Sequence, residues 1–374
     1  MRFLVACAVS VAVVLSAPFM GRLQSLLRSS LSARAYVIGL GVLVGAAIAG
    51  AIVVAFLRIR ERRGRRLAVM AAAIVIGAIY TAALSTGDPE QDAVERVHFL
   101  EYGMIAVLFY RVWRPSTTLG AGRTADPSAV VLPVLCAFAA GTLDEWLQWF
   151  IPYRVGETHD VILNLTAIVC GTLFGIALEP PRGFTWRLQR PSMARLGIVV
   201  AVVGLIFAGF VSSVHLGHRL TVDGIGAFMS RHTVDELQAA ERDRSERWLT
   251  APPVGIRRLS REDQYLDEGV WHVRERNRKW DEGDVTAAWR ENLILERFFV
   301  PVLDRSTYVS VNGNRWPPEH RADAEARADH SRGDFVSVAE PYPILDWNKT
   351  VYWLAVLTAA ALVAAAGVIA SRRT

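Results

Sequence analysis

Cysteine is scarce: Cys7, Cys136 and Cys170 are the only three in 374 residues. Each lies inside an apolar run, which leaves neither a disulfide framework nor a paired cysteine–histidine zinc motif. Internal repeats are also lacking. The basic residues are not gathered on one soluble face, so no nucleic-acid partner is expected. A cleavable leader is not expected either. Arg2 precedes an apolar run ending near Ser16 and Ala17, but Pro18 follows directly and disfavours cleavage, so this run is read as an uncleaved helix. Leu4-Val5-Ala6-Cys7 has the letters of a lipoprotein box, yet its apolar stretch follows Cys7 instead of preceding it, and no lipidation is expected there.

Charge is scarce in eight predominantly apolar windows long enough to cross a bilayer as a helix. They run from Phe3 to Met20, Ala35 to Leu57, Leu67 to Ser85, Val97 to Trp113, Ala129 to Ile151, Val161 to Leu178, Leu196 to Leu216 and Val351 to Ala370. The predicted fold is therefore an all-α polytopic membrane protein of about eight transmembrane helices, with a polar insert at 217–349 between helices seven and eight. The insert carries 20 basic and 24 acidic residues, against 21 and 12 in the rest. That basic excess falls in alternate loops: Arg58 to Arg66, then Arg111, Arg114 and Arg123, then Arg182 to Arg195, and finally Arg372 and Arg373. The positive-inside rule assigns such loops to the cytoplasm. Both termini are then expected inside and the insert outside, with Arg22, Arg28 and Arg34 as a mild violation.

Composition divides the chain into N-terminal membrane helices (1–94), a membrane core (95–178), a seventh helix region (179–216), the insert (217–349) and a closing helix with a short tail (350–374). The insert reads as mainly helical over Thr233–Trp248 and Asp284–Leu303, with Val285, Ala288, Trp289, Leu293 and Phe298 as its buried stripe. Prolines and glycines from Val309 to Asp346 predict loop with at most short strand pieces. The charged run Arg261 to His272 reads as a solvated helix face with local ion pairs.

Ionisable residues inside membrane helices are costly, and by default they mark a functional site or a paired network. Here they concentrate where three helices meet the extracytoplasmic water. His98, Glu101 and Tyr102 share one face of the fourth span by their i, i+3, i+4 spacing. Asp144 and Gln148 share a face at the end of the fifth, with Glu145 on a neighbouring one. Asp160 and Asn164 open the sixth, and Gly171 and Gly175 continue their face with the small-residue spacing that lets helix backbones approach. The short loop carrying Arg154 makes the fifth and sixth spans antiparallel neighbours.

The order His-x-x-Glu-Tyr, then Asp-Glu-x-x-Gln, then Arg, Asp and Asn followed by spaced glycines resembles the VanZ-like membrane proteins over about Glu95 to Leu178. The resemblance implies a bacterial multi-pass protein of the cell envelope, from a family whose founding member is associated with teicoplanin resistance. It also implies that His98, Glu101, Tyr102, Asp144, Glu145, Gln148, Arg154, Asp160 and Asn164 are the family's polar motif. The first three spans and the insert with its closing helix fall outside the expected common core.

Catalytic roles are expected of His98, Glu101, Asp144, Glu145 and Asp160. Crowded carboxylates make Glu101 or Asp144 a candidate general base, with His98 as proton partner. Ligand contacts are expected of Tyr102, Gln148, Arg154 and Asn164, the arginine suiting phosphate or carboxylate through its planar fork. The partners expected are the lipid bilayer and an envelope component: a lipid-linked glycan, a phospholipid headgroup or a glycopeptide-related ligand. No cofactor is specified; His98, Glu101, Asp144 and Asp160 are the set that would hold a divalent metal. Competing readings are binding or transport without covalent chemistry, and a purely structural network in which Gln148 bonds Asn164.

Overall fold

A computed structural model of the chain describes residues 1–83, 87–114, 124–151, 156, 158–181, 183–253, 264–306, 310, 313–330 and 334–372. It divides into two compact units, 1–148 with 156–210 and 354–374, and 149–155 with 211–353. The first unit is built from long helices: α1 (Arg2–Ser30), α2 (Ala33–Arg58), α3 (Arg63–Ala83), α4 (Pro89–Trp113), α5 (Ser128–Phe150), α6 (Thr158–Leu178) and α7 (Arg190–Val214). The second holds strands β1 (Leu216–Val222) and β2 (Gly226–Ser230), then helices α8 (Val234–Arg247), α9 (Gln264–Asp281), α10 (Val285–Phe298), α11 (Val300–Asp304) and α12 (Pro318–Arg327), and strand β3 (Leu345–Asp346). The closing helix α13 (Lys349–Arg372) returns to the first.

Among the described residues seven helices, α1, α2, α3, α5, α6, α7 and α13, are long and apolar enough to cross a membrane. The fold is thus the all-α polytopic membrane protein that the apolar windows predict. The eighth expected span differs in kind. α4 is 25 residues long, but Glu90, Asp92, Glu95, Arg96 and Glu101 load its first half with charge. It is nonetheless the centre of its unit, packing against α1, α2 and α6. Its start is fixed locally: the Asp88 side chain accepts the Glu90 N–H at 2.9 Å, and Pro89 supplies a ready-made first helical φ.

Glycine decides how tightly α4 meets α6. A Cβ on Gly171 would collide with the backbone of Gly103, and one on Gly175 would stand 2.8 Å from the Tyr110 ring. The backbones of α4 and α6 therefore pass in direct contact, as the small-residue spacing on α6 predicts. Tyr102, Ile105, Ala106 and Phe109 of α4 pack there with Ala137 and Ala140 of α5 and Ala167 and Ile168 of α6.

In the second unit β1 lies between antiparallel β2 and parallel β3. The hairpin turns through Gly224 at φ +75°, a conformation glycine takes without strain. A reciprocal capping box between Thr233 and Glu236 starts α8, and the Asp284 side chain caps α10. Phe228, Leu237, Tyr265, Val270, Phe298 and Phe299 form the main core; Trp289 and Trp316 anchor a second cluster with α12. The expected stripe on α10 is buried at Val285, Ala288, Trp289 and Phe298 and partly buried at Leu293.

Three readings of the insert are corrected. The β1–β2 hairpin stands where the seventh apolar run passes into polar sequence, and its short alternation was hidden beside that run. α12 stands inside the stretch read as loop, because its Pro317-Pro318 starts a helix instead of interrupting one. The solvated face of α9 is in fact buried at Asp267, Glu268 and His272; the segment Arg261–Asp263 of that run lies outside the described residues. Glu268 accepts the Ser230 hydroxyl at 2.7 Å and the Arg231 N–H at 2.9 Å, while His272 Nδ1 meets Glu291 Oε2 at 2.6 Å. Two turns beyond Glu268, Arg276 is buried with its guanidinium 4.6 Å above the Trp316 ring, donating to Asn292 Oδ1 at 3.1 Å and the Asn314 carbonyl at 2.7 Å. Burial pulls its pKa down to about 9.

Replacing Gly171 with valine should prevent the α4–α6 contact and lower the melting temperature of detergent-purified protein by the equivalent of about 3 kcal/mol or more. Gly39→Val, at a position with nothing within 4 Å, should change it little. Arg276→Ala removes the stack on Trp316 and leaves Asn292 and Asn314 without their buried donor. It should cost about 3 kcal/mol in chemical denaturation followed by tryptophan fluorescence.

Candidate functional site

Five of the expected residues converge where the middle of α4, the end of α5 and the first third of α6 meet. Tyr102, Asp144, Glu145, Gln148 and Asn164 are all buried, none more than 4% exposed. The Tyr102 hydroxyl donates to Asp144 Oδ2 at 2.6 Å, and the Gln148 amide donates to the same oxygen at 2.8 Å. That amide also reaches Glu145 Oε1 at 3.5 Å, where the Asn164 amide donates at 3.3 Å. One chain of hydrogen bonds therefore runs from α4 through α5 to α6.

Adjacent positions on a helix point about 100° apart, and α5 uses this to serve two neighbours. Asp144 addresses Tyr102 on α4, while Glu145 addresses Asn164 on α6. Glu145, on the face adjoining that of Asp144, is thereby a full member of the network. The expected direct bond between Gln148 and Asn164 is replaced by a shared acceptor, Glu145 Oε1. Gly141, one turn before Glu145, makes room for this. A Cβ there would stand 3.3 Å from the Asn164 Cβ and 3.4 Å from the Tyr102 ring. Its i, i+4 relation to Glu145 was the sequence signal for it, and it was not read.

His98, one turn before Tyr102 on α4, and Glu101, directly before it, form their own pair, with Nδ1 3.1 Å from Oε2, both about a quarter exposed. Glu101 stays within electrostatic reach of Tyr102, so the partly exposed pair adjoins the buried network. Asp160 is half-buried one turn before Asn164, within electrostatic reach of Tyr80 on α3, as is Glu95. Tyr80 is an aromatic in an apolar run, which gave no signal by itself. Arg154 lies outside the described residues, as do its neighbours Tyr153 and Glu157.

The metal expectation does not fit this geometry. Among the described residues no three His, Cys, Asp or Glu side chains are placed to share an ion, and His98, Glu101, Asp144 and Asp160 divide between the helix-start pair, the buried chain and the α3 side. The buried donors around Asp144 and Glu145 are a phenol and two amides, a set suited to holding a carboxylate or a proton in place.

Residues 53–179 match the VanZ/LLP1 family model. No curated protein and no solved structure matches the chain. The match begins upstream of the motif, so the end of α2 and all of α3 belong to the family segment, and only α1 and most of α2 precede it. This corrects the narrower core drawn from the polar motif alone. All eight described motif residues, from His98 to Asn164, fall within residues 53–179, the segment of this multi-pass membrane protein that is similar to the VanZ/LLP1 family.

Proposed function

We propose that this protein resides in the cytoplasmic membrane of a bacterium and uses the Tyr102–Asp144–Gln148–Glu145–Asn164 chain, with His98 and Glu101 beside it, to bind or act on a cell-envelope component. The observation that carries the reading is a pair of adjacent carboxylates buried among apolar helices and bonded from both sides. Such groups are expensive within a bilayer, and a bundle needing only cohesion has cheaper means in glycine and alanine packing. An amphiphilic ligand suits a site at a helix-bundle end: a lipid-linked glycan, a phospholipid headgroup or a glycopeptide-related molecule. His98 and Glu101, partly open to solvent, would exchange protons with it, and Arg154 would receive an anionic group.

Sidedness follows from the alternate arginine-rich loops. They assign both termini to the cytoplasm and assign the polar network, together with the insert at 217–349, to the outer face. A second reading, binding, transport or scaffolding without catalysis, is favoured by one observation: the Tyr102 hydroxyl and the Gln148 and Asn164 amides all donate within the network itself.

Asp144→Asn and Glu101→Gln separate a functional network from one that only braces the helices. Expression of the full chain in a bacterial host should change teicoplanin susceptibility, and both variants should abolish that change while keeping the wild-type melting temperature and membrane level. Loss of the folded protein together with the phenotype would assign the network a bracing role. For sidedness, single cysteines are placed at Ser245 and Arg60 in a background with Cys7, Cys136 and Cys170 changed to alanine. A membrane-impermeant maleimide on intact cells should label Ser245→Cys and leave Arg60→Cys unlabelled until the membrane is opened; the reverse pattern would invert the topology.

A further inference from the structure

The opposite end of the same bundle carries a second polar constellation. Glu179, just past α6, takes three arginines at once: Arg114 Nη1 at 2.9 Å, Arg111 Nη2 at 3.3 Å and Arg58 Nη1 at 3.8 Å. One carboxylate cannot neutralise three guanidiniums, so the group keeps a net positive charge. It is built into the fold. Arg66 donates to the Ala177 carbonyl at 2.7 Å and to that of Leu178, and the Tyr110 hydroxyl donates to the Glu179 carbonyl at 2.8 Å. These bonds satisfy carbonyls that the end of α6 would otherwise leave without donors. Beneath them Ala55, Ile59, Met70, Ala177 and Leu178 form a packed apolar floor.

Arg114 and Arg66 are thus committed to structure, whereas Arg58 and Arg111 are 60% and 42% exposed. Each offers guanidinium donors beyond its contact with Glu179. Beside Arg58, Leu57 is 70% exposed and Phe56 47% exposed on a helix apolar enough to cross the bilayer. A cationic shelf above an outward apolar strip matches an amphiphile with an anionic head.

We propose that Arg58 and Arg111, held by Glu179, form a binding site for the phosphodiester headgroup of an anionic phospholipid whose acyl chains run along α2 beside Phe56 and Leu57. Guanidinium forks match phosphate oxygens in geometry, and basic groups between membrane helices at this level recognise anionic headgroups. The site is independent of the carboxylate network. Glu101 and Arg111 on α4 are separated by about 15 Å along the helix axis. The apolar strip selects a lipid over a soluble phosphate.

The test uses the full chain purified and placed in nanodiscs of phosphatidylcholine containing a minority of phosphatidylglycerol, with protein-associated lipid read by native mass spectrometry. Wild-type protein should retain phosphatidylglycerol in preference to phosphatidylcholine. Arg58→Gln and Arg111→Gln should each lower that preference about fivefold at an unchanged melting temperature, since both side chains are exposed. Arg58→Lys keeps charge but not the fork, and should fall between. Equal retention of the two lipids by wild type, or a preference unchanged in the double glutamine variant, would overturn the site. In a separate arm, inorganic phosphate or glycerol phosphate should not raise the melting temperature in detergent, whereas phosphatidylglycerol should. An equal rise with the soluble anions would overturn the lipid as occupant.

Discussion

The direct backbone contact of α4 with α6 at Gly103 and Gly171 is the constraint on which the membrane unit depends. α4 carries too much charge in its first half to be comfortable among lipids, and close packing against its neighbours is what keeps that half within protein. Because the two backbones touch, Tyr102, next to Gly103, and Asn164, two turns before Gly171, are brought within a hydrogen bond of the end of α5. Remove the contact and Tyr102 and Asn164 lose the common distance at which Asp144 and Glu145 can serve both.

The network that results is an economical use of one helix. α5 ends with two consecutive carboxylates, and the helical rotation between them sends one to α4 and the other to α6. Gln148 then bridges both from one turn further on. Buried carboxylates that accept bonds from neutral donors are positioned without being neutralised by those donors, which is what a proton-handling or ligand-holding site needs. At the other end of the same helices the logic is reversed. There Glu179 gathers arginines, and the end of α6 is closed by guanidinium and phenol donors. The two ends of one bundle thus differ in sign, and the family match over residues 53–179 contains both.

The second unit shows how far local composition can mislead. Asp267, Glu268, His272 and Arg276 are charged residues in a charged stretch, and their burial follows only from the apolar positions interleaved with them, Tyr265, Leu266, Val270 and Val273, which need a core. Once α9 is buried, each polar side chain must be met: Glu268 by Ser230 and the Arg231 N–H, His272 by Glu291, Arg276 by Asn292 and the Asn314 carbonyl. None of those partners lies within one helical turn, so no window of sequence contains the pairing.

The apolar windows, the arginine asymmetry and the spacing of His98, Glu101, Tyr102, Asp144, Gln148, Asp160 and Asn164 were legible in the sequence because each is a local property. Helix length, charge and a shared face need only the chain's own periodicity. Tertiary structure alone decided which helix each of the two α5 carboxylates serves, that Gln148 and Asn164 meet on the Glu145 carboxylate and not on each other, and that Gly141 clears the space. Those outcomes depend on the depth at which helices from distant parts of the chain cross, and that depth is set by the side chains missing at Gly103, Gly141 and Gly171.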